Sequence, residues 1–206
     1  MTIHNDTIKG YKVFDTGLKC RDYDFNQIGS THTYEGEPVL CKSGFHFCTT
    51  LQDCFRYYNI TPSMIICEVQ AIGYTDAKED CSKRSCQTLT ITRQMTFDEV
   101  IPHITNSAYA YRWAKNIGNK DIMIDRITNS EYAYTWAMNI GDKDIMIDRI
   151  TNSEYAYRWA KYIGNQDIMI DRITDSQYAY IWAIDIGNKD IMIAQFPELA
   201  TRLGSN

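Results

Sequence analysis

The chain has 206 residues, 44% hydrophobic and 23% charged, with a formal net charge of −5 at pH 7. A sequence of this length and composition suits one compact domain or two small ones with a real core. No apolar run nears the roughly 18 residues of a membrane span, and Met1-Thr2-Ile3-His4-Asn5-Asp6 has neither the basic nor the apolar part of a leader, so the expectation is a cytoplasmic protein with no membrane contact.

Residues 1–106 carry 10 basic and 13 acidic side chains and residues 107–206 carry 11 and 13, so neither half is a basic platform and no direct nucleic-acid binding is expected. The seven cysteines are odd in number and confined to positions 20 to 86, which fits reduced thiols.

Residues 1–95 read as an α+β domain. Gly10–Phe14, Ser63–Ala71 and Thr88–Thr92 have the alternation or β-branched content of strands. Thr50–Tyr58 predicts a short helix with Leu51, Cys54, Phe55 and Tyr58 on one side. Residues 96–106 look like the second half of a repeat, a bridging helix with Asp98 at the Asp121 position and Ile104 at the Ile127 position.

Residues 107–198 are four copies of one 23-residue unit, 107–129, 130–152, 153–175 and 176–198, aligned on Ser107, Ser130, Ser153 and Ser176. In each, Ala110, Trp113, Ala114 and Ile117 or their equivalents share a helical face and Gly118 supplies the stop. A second, shorter helix follows Asn119-Lys120-Asp121, with Ile124 and Ile127 expected inward and Asp125-Arg126 outward. One hairpin cannot cover its own tryptophan, so the units must stack into an all-α solenoid, with residues 199–206 as a C-terminal cap. Tyr109, Tyr111 and Trp113 are read as core more than as a base-stacking ladder, and the Asp125-Arg126 rows as ion pairs between repeats.

Positions that drift between copies are free of packing and mark candidate partner contacts. They include Arg112, Lys115, Arg158, Lys161, Tyr162, Ile181 and Ile184. Cys41, His46 and Cys48 lack the spacing of a metal set, and no metal is expected. A Cys48–His32 nucleophile pair is permitted by composition without a supporting motif.

The run Tyr11-Lys12-Val13-Phe14, Cys41-Lys42-Ser43-Gly44-Phe45-His46-Phe47-Cys48, Asp53 to Tyr58 and Ile66-Cys67-Glu68-Val69 resembles an uncharacterised domain family carried by phages and prophages, over about residues 9–100. That resemblance implies a phage origin. A fainter similarity is to ADP-ribosyltransferases, which would place Tyr11, His46, Thr49 and Glu99 in an NAD site. The chain departs from that pattern with Lys12 in place of an arginine and with no Glu-x-Glu near the end.

Two functions follow as expectations. The favoured one is a phage-encoded, non-catalytic interaction protein, with no cofactor, that binds and inhibits a host protein or complex such as an anti-phage defence system. The alternative is an ADP-ribosyltransferase-like enzyme using NAD.

Overall fold

A computed structural model describes residues 2–77 and 79–204. The chain divides into two compact units, residues 1–120 and 121–206. The architecture is an α+β domain followed by an all-α solenoid of helix pairs.

In the first unit the strands are β1 (Ile3–His4), β2 (Ile8–Phe14), β3 (Lys19–Cys20), β4 (Tyr23–Asp24), β5 (Thr31–Thr33), β6 (Phe45–Cys48), β7 (Ile65–Thr75) and β8 (Lys83–Gln94). All pairings are antiparallel. β7 pairs with β2 and β8, and β6 pairs with β8 and, through Tyr11 and Cys48, with β2, so these four strands close on themselves. Closure gives the sheet an inside. Partners directly opposite share a face, which puts Lys12 with Cys67, Phe14 with Ile65 and Gly10 with Val69 on the inner side. Phe14, Phe25, Phe45, Phe47, Leu89 and Ile91 fill it.

Gly10 permits the crossing of β2 and β6. A Cβ there would lie 2.5 Å from the Phe47 ring and 2.7 Å from the Cys48 carbonyl oxygen.

Outside the closed sheet, α1 (Leu51–Cys54) packs against β2 and β6 with Leu51, Cys54 and Phe55 buried beside Val13 and Cys48. The helix is shorter than the sequence predicts, because the chain leaves it as turns after Cys54. Next come α2 (Phe97–Val100) and a 3₁₀ turn at Ile101–His103, with a capping box between Thr96 and Glu99. This segment has the same order of a four-residue helix and a 3₁₀ turn as Lys120–Arg126. α3 (Ser107–Asn116) sets Trp113 against Phe97, with ring centroids 5.3 Å apart, and against Phe55 at 6.3 Å.

The repeat units share one plan. α3, α5 (Ser130–Asn139), α7 (Ser153–Tyr162) and α9 (Ser176–Asp185) each have ten residues and an Asn or Asp N-cap whose side chain accepts a backbone N–H. Gly118, Gly141, Gly164 and Gly187 follow at φ between +117° and +129°, ending each helix where a side chain would strain the backbone. The next residue, Asn or Asp, is left-handed and leads into the shorter helices α4 (Lys120–Met123), α6 (Lys143–Met146), α8 (Gln166–Met169) and α10 (Lys189–Gln195). In the second and third copies that residue also accepts the tryptophan N–H, Asp142 from Trp136 at 3.0 Å and Asn165 from Trp159 at 3.4 Å.

In these short helices the fully buried side chain is methionine, at positions 123, 146, 169 and 192, while Ile124 and Ile147 are half-buried. This corrects the expected inward role of Ile124; Ile127 is buried as expected.

Within the second unit, Ser130 Oγ accepts the Thr151 N–H at 2.9 Å, and Ser153 Oγ accepts that of Thr174 at 2.9 Å. Arg149 reaches back one repeat to donate to the carbonyl oxygens of Ile124 and Ile127, and Arg172 does the same to Ile147 and Ile150. The expected ion pairs between repeats are present at 3.6 Å, Arg149 with Asp125 and Arg172 with Asp148 of the preceding copy. Gln195, in the arginine's place in the last copy, still donates to Ile173 at 2.8 Å. The array ends with a 3₁₀ turn at Pro197–Leu199 and α11 (Ala200–Leu203), which bury Leu199 and Leu203 as a cap. Ser205 and Asn206, the last two residues of the expected cap, lie outside the described residues.

Candidate functional site

Two surfaces stand out, one in each unit. In the first unit a groove of about 1080 Å³ runs from the open end of the closed sheet to the turns after α1. Lys12 lies at its floor, only 3% exposed, because the inner face of β2 carries it toward Phe14 and Phe25. Its Nζ donates to the His46 carbonyl at 2.8 Å and to Cys20 Sγ at 3.5 Å, and sits 5.3 Å from the centroids of both phenyl rings. Lys83 lies over the Tyr57 ring at 4.1 Å, and Arg21, in a left-handed turn, is exposed in the same lining.

His46 lies among these cations. Burial, with Lys83, Lys12 and Arg21 nearby, lowers its pKa to about 4, so the ring is neutral near pH 7. The Cys41 N–H donates to Nε2 at 3.0 Å, which leaves Nδ1 as the protonated nitrogen. The Cys54 thiol donates to the Tyr11 carbonyl at 3.5 Å; its interaction with Cys48 lowers the Cys48 pKa, and the same interaction together with burial raises that of Cys54. His32 is held elsewhere, its ring nitrogens engaged by Tyr23 at 3.0 Å and Ser30 at 2.6 Å, so the partner of Cys48 is a thiol rather than this imidazole.

The residues of the NAD alternative divide. Tyr11 and Thr49 line a shallow pocket of about 390 Å³ with Glu68 and Arg93. His46 lines the larger groove, which Tyr11 borders too. Glu99 lines neither: its carboxylate accepts from the Thr96 N–H at 2.8 Å and from Arg93 at 2.7 Å.

In the second unit the surface is set by position within the repeat. Ile122, Ile145, Ile168 and Ile191 are equivalent residues just before the 3₁₀ segment or its counterpart, and each is 41–52% exposed. A position with no packing role drifts, as 115, 138, 161 and 184 do through Lys, Met, Lys and Ile. These isoleucines do not drift, although leaving a large aliphatic side chain in water gives up about 1 kcal/mol or more of burial free energy. An exposed aspartate precedes each one, at 121, 144, 167 and 190. The result is an apolar row edged with carboxylates, of the kind that marks an interaction surface.

The drifting candidates fall in both units. Arg112 and Lys115, in the first, lie over the rings of Tyr109 and Tyr111. In the second, Arg158 pairs with Glu154 at 2.6 Å on its own helix. Lys161 pairs with Asp185 of the next copy at 2.6 Å, and Tyr157 also donates to that carboxylate. Tyr162 and Ile184 are 60% and 56% exposed, and Ile181 is half-buried. Drift between copies does not reveal the isoleucine row. Its signal in the sequence is invariance, which core residues share.

Residues 8–103 match a family described as a domain of unknown function, DUF7666, a span that takes in the closed sheet, α1, α2 and the 3₁₀ turn after it. The match ends before the first full repeat. No curated protein and no solved structure matches the chain.

Proposed function

We propose that the protein is a non-catalytic interaction protein that holds a partner protein along the row Ile122, Ile145, Ile168 and Ile191. The observation that carries this reading is four equivalent, unvarying and half-exposed isoleucines on a stacked array. Stacked helices are about 8–10 Å apart, so the row presents apolar contacts at a spacing that a partner surface can match repeatedly. Charge supports the choice of partner. Residues 121–206 carry 13 acidic and 8 basic side chains, whereas residues 1–120 carry 13 of each. The partner surface is therefore apolar with a basic rim.

In its fuller form the protein is encoded by a phage and binds and blocks a host protein in the host cytoplasm, such as a defence complex. That form rests on the resemblance of the N-terminal domain.

Tagged wild-type protein and an Ile145→Ser/Ile168→Ser variant, compared for capture from bacterial lysate with mass spectrometry, test this. A stoichiometric partner retained by the wild type and lost by the variant is the expected result. Equal retention by both would show that the isoleucine row does not hold the partner.

A further inference from the structure

We propose that the groove of the first unit binds a phosphomonoester of nucleotide size, with Lys12, Lys83 and Arg21 supplying the positive charge and tyrosines 23, 57 and 58 the flat walls. This site is independent of the isoleucine row.

Lys12 is in an unusual position for its charge. A buried ammonium normally lies against a carboxylate, since removing an isolated charge from water is costly. Here its acceptors are a carbonyl and a thiol, neither of them a fixed negative charge. Among the described residues no carboxylate lies within ion-pair distance of Lys12, Lys83 or Arg21. Four cations, these three and Lys42, thus line one groove with no carboxylate at ion-pair distance among the described residues.

Asp15, Asp22 and Glu35 border the same groove, but all three are exposed and their fields are weakened by water. The field of Lys12 is not screened in this way. His46 records the outcome, because every charged group that bears on it is a cation.

The ligand class follows from this arrangement. A phosphate dianion matches two accessible cations over a buried third better than a carboxylate does, and it suits the point charge of a lysine. The groove volume of about 1080 Å³ exceeds what a bare anion fills, and the tyrosines offer stacking faces to a planar body. Lys83 and Arg21 would contact the phosphate, with Lys12 acting from the floor through its field and Nδ1–H of His46 available as a neutral donor.

Calorimetric titration of the full chain with adenosine 5′-monophosphate, inorganic phosphate and adenosine tests the proposal. Adenosine monophosphate should bind, phosphate should compete with it more weakly, and adenosine alone should give no heat at millimolar concentration. Arg21→Gln and Lys83→Gln, both at accessible positions, should each weaken binding about tenfold with an unchanged thermal midpoint. Lys12→Met should weaken it further, and added salt should weaken it in the wild type. The absence of binding by adenosine monophosphate at millimolar concentration would overturn the proposal. So would unchanged affinity in the natively folded Arg21→Gln and Lys83→Gln variants.

Discussion

The guanidinium of Arg149 donates to the Ile127 carbonyl oxygen at 2.8 Å, and Arg172 repeats this on Ile150 one unit later. The array is therefore tied together by side chains satisfying the orphan carbonyls at the ends of the short helices. Arg149→Met should lower the unfolding free energy by about 1–3 kcal/mol, because it removes the side-chain donor to the Ile127 carbonyl. Asp125→Asn should cost under about 1 kcal/mol, since its partner distance is 3.6 Å and the carboxylate is 82% exposed. Urea titrations of both variants at low and high salt check this. If the ion pair rather than the carbonyl contact held the repeats together, the two losses would be similar and would shrink with salt.

Met146 and Ile145 are neighbours with opposite roles, one fully buried and the other 49% exposed. Met146→Ala should destabilise by about 2–5 kcal/mol through the cavity it leaves. Ile145→Ser should stay within about 0.5 kcal/mol of wild type. Denaturation midpoints of the two variants separate packing from display, and a large loss at Ile145 would return that residue to the core.

The folded state holds the His46 pKa at about 4, below the ordinary 6.5, so the unfolded chain binds more protons between those values. The sign is fixed: stability from this group is full above about pH 6.5 and is lost as pH falls toward 4. The loss is on the order of 3 kcal/mol. Carboxylates also titrate in this range, so the quantity to measure is the difference between wild type and His46→Gln, whose amide can still accept the Cys41 N–H. That difference should change in favour of the variant as pH falls. A constant difference from pH 7 to 4 would contradict the assignment.

The repeat array was legible in the sequence because a 23-residue period brings equivalent positions into register along the chain itself, and glycine, Asn or Asp, and tryptophan each have one local reason to recur. The short helices were less legible. Four residues are too few for a 3.6-residue period to decide which of Ile122, Met123 and Ile124 turns inward, and methionine took the place assigned to isoleucine. The strand segments of β2, β7 and β8 were visible in their β-branched content, whereas closure through β6 depends on contacts such as Gly10 with Phe47 that no local pattern records. Lys12 was hidden for a different reason. Lysine is an ordinary surface residue, and only the inner face of a closed sheet buries it.

A partner seated on the short helices of the repeats would shield their backbone from solvent. Hydrogen exchange of the full chain with and without the captured partner tests this most directly. The expected result is slowed exchange in Asp142–Met146, Asn165–Met169 and Asn188–Met192, the segments that carry Ile145, Ile168 and Ile191. Protection confined to residues 8–95, with these segments unchanged, would contradict it.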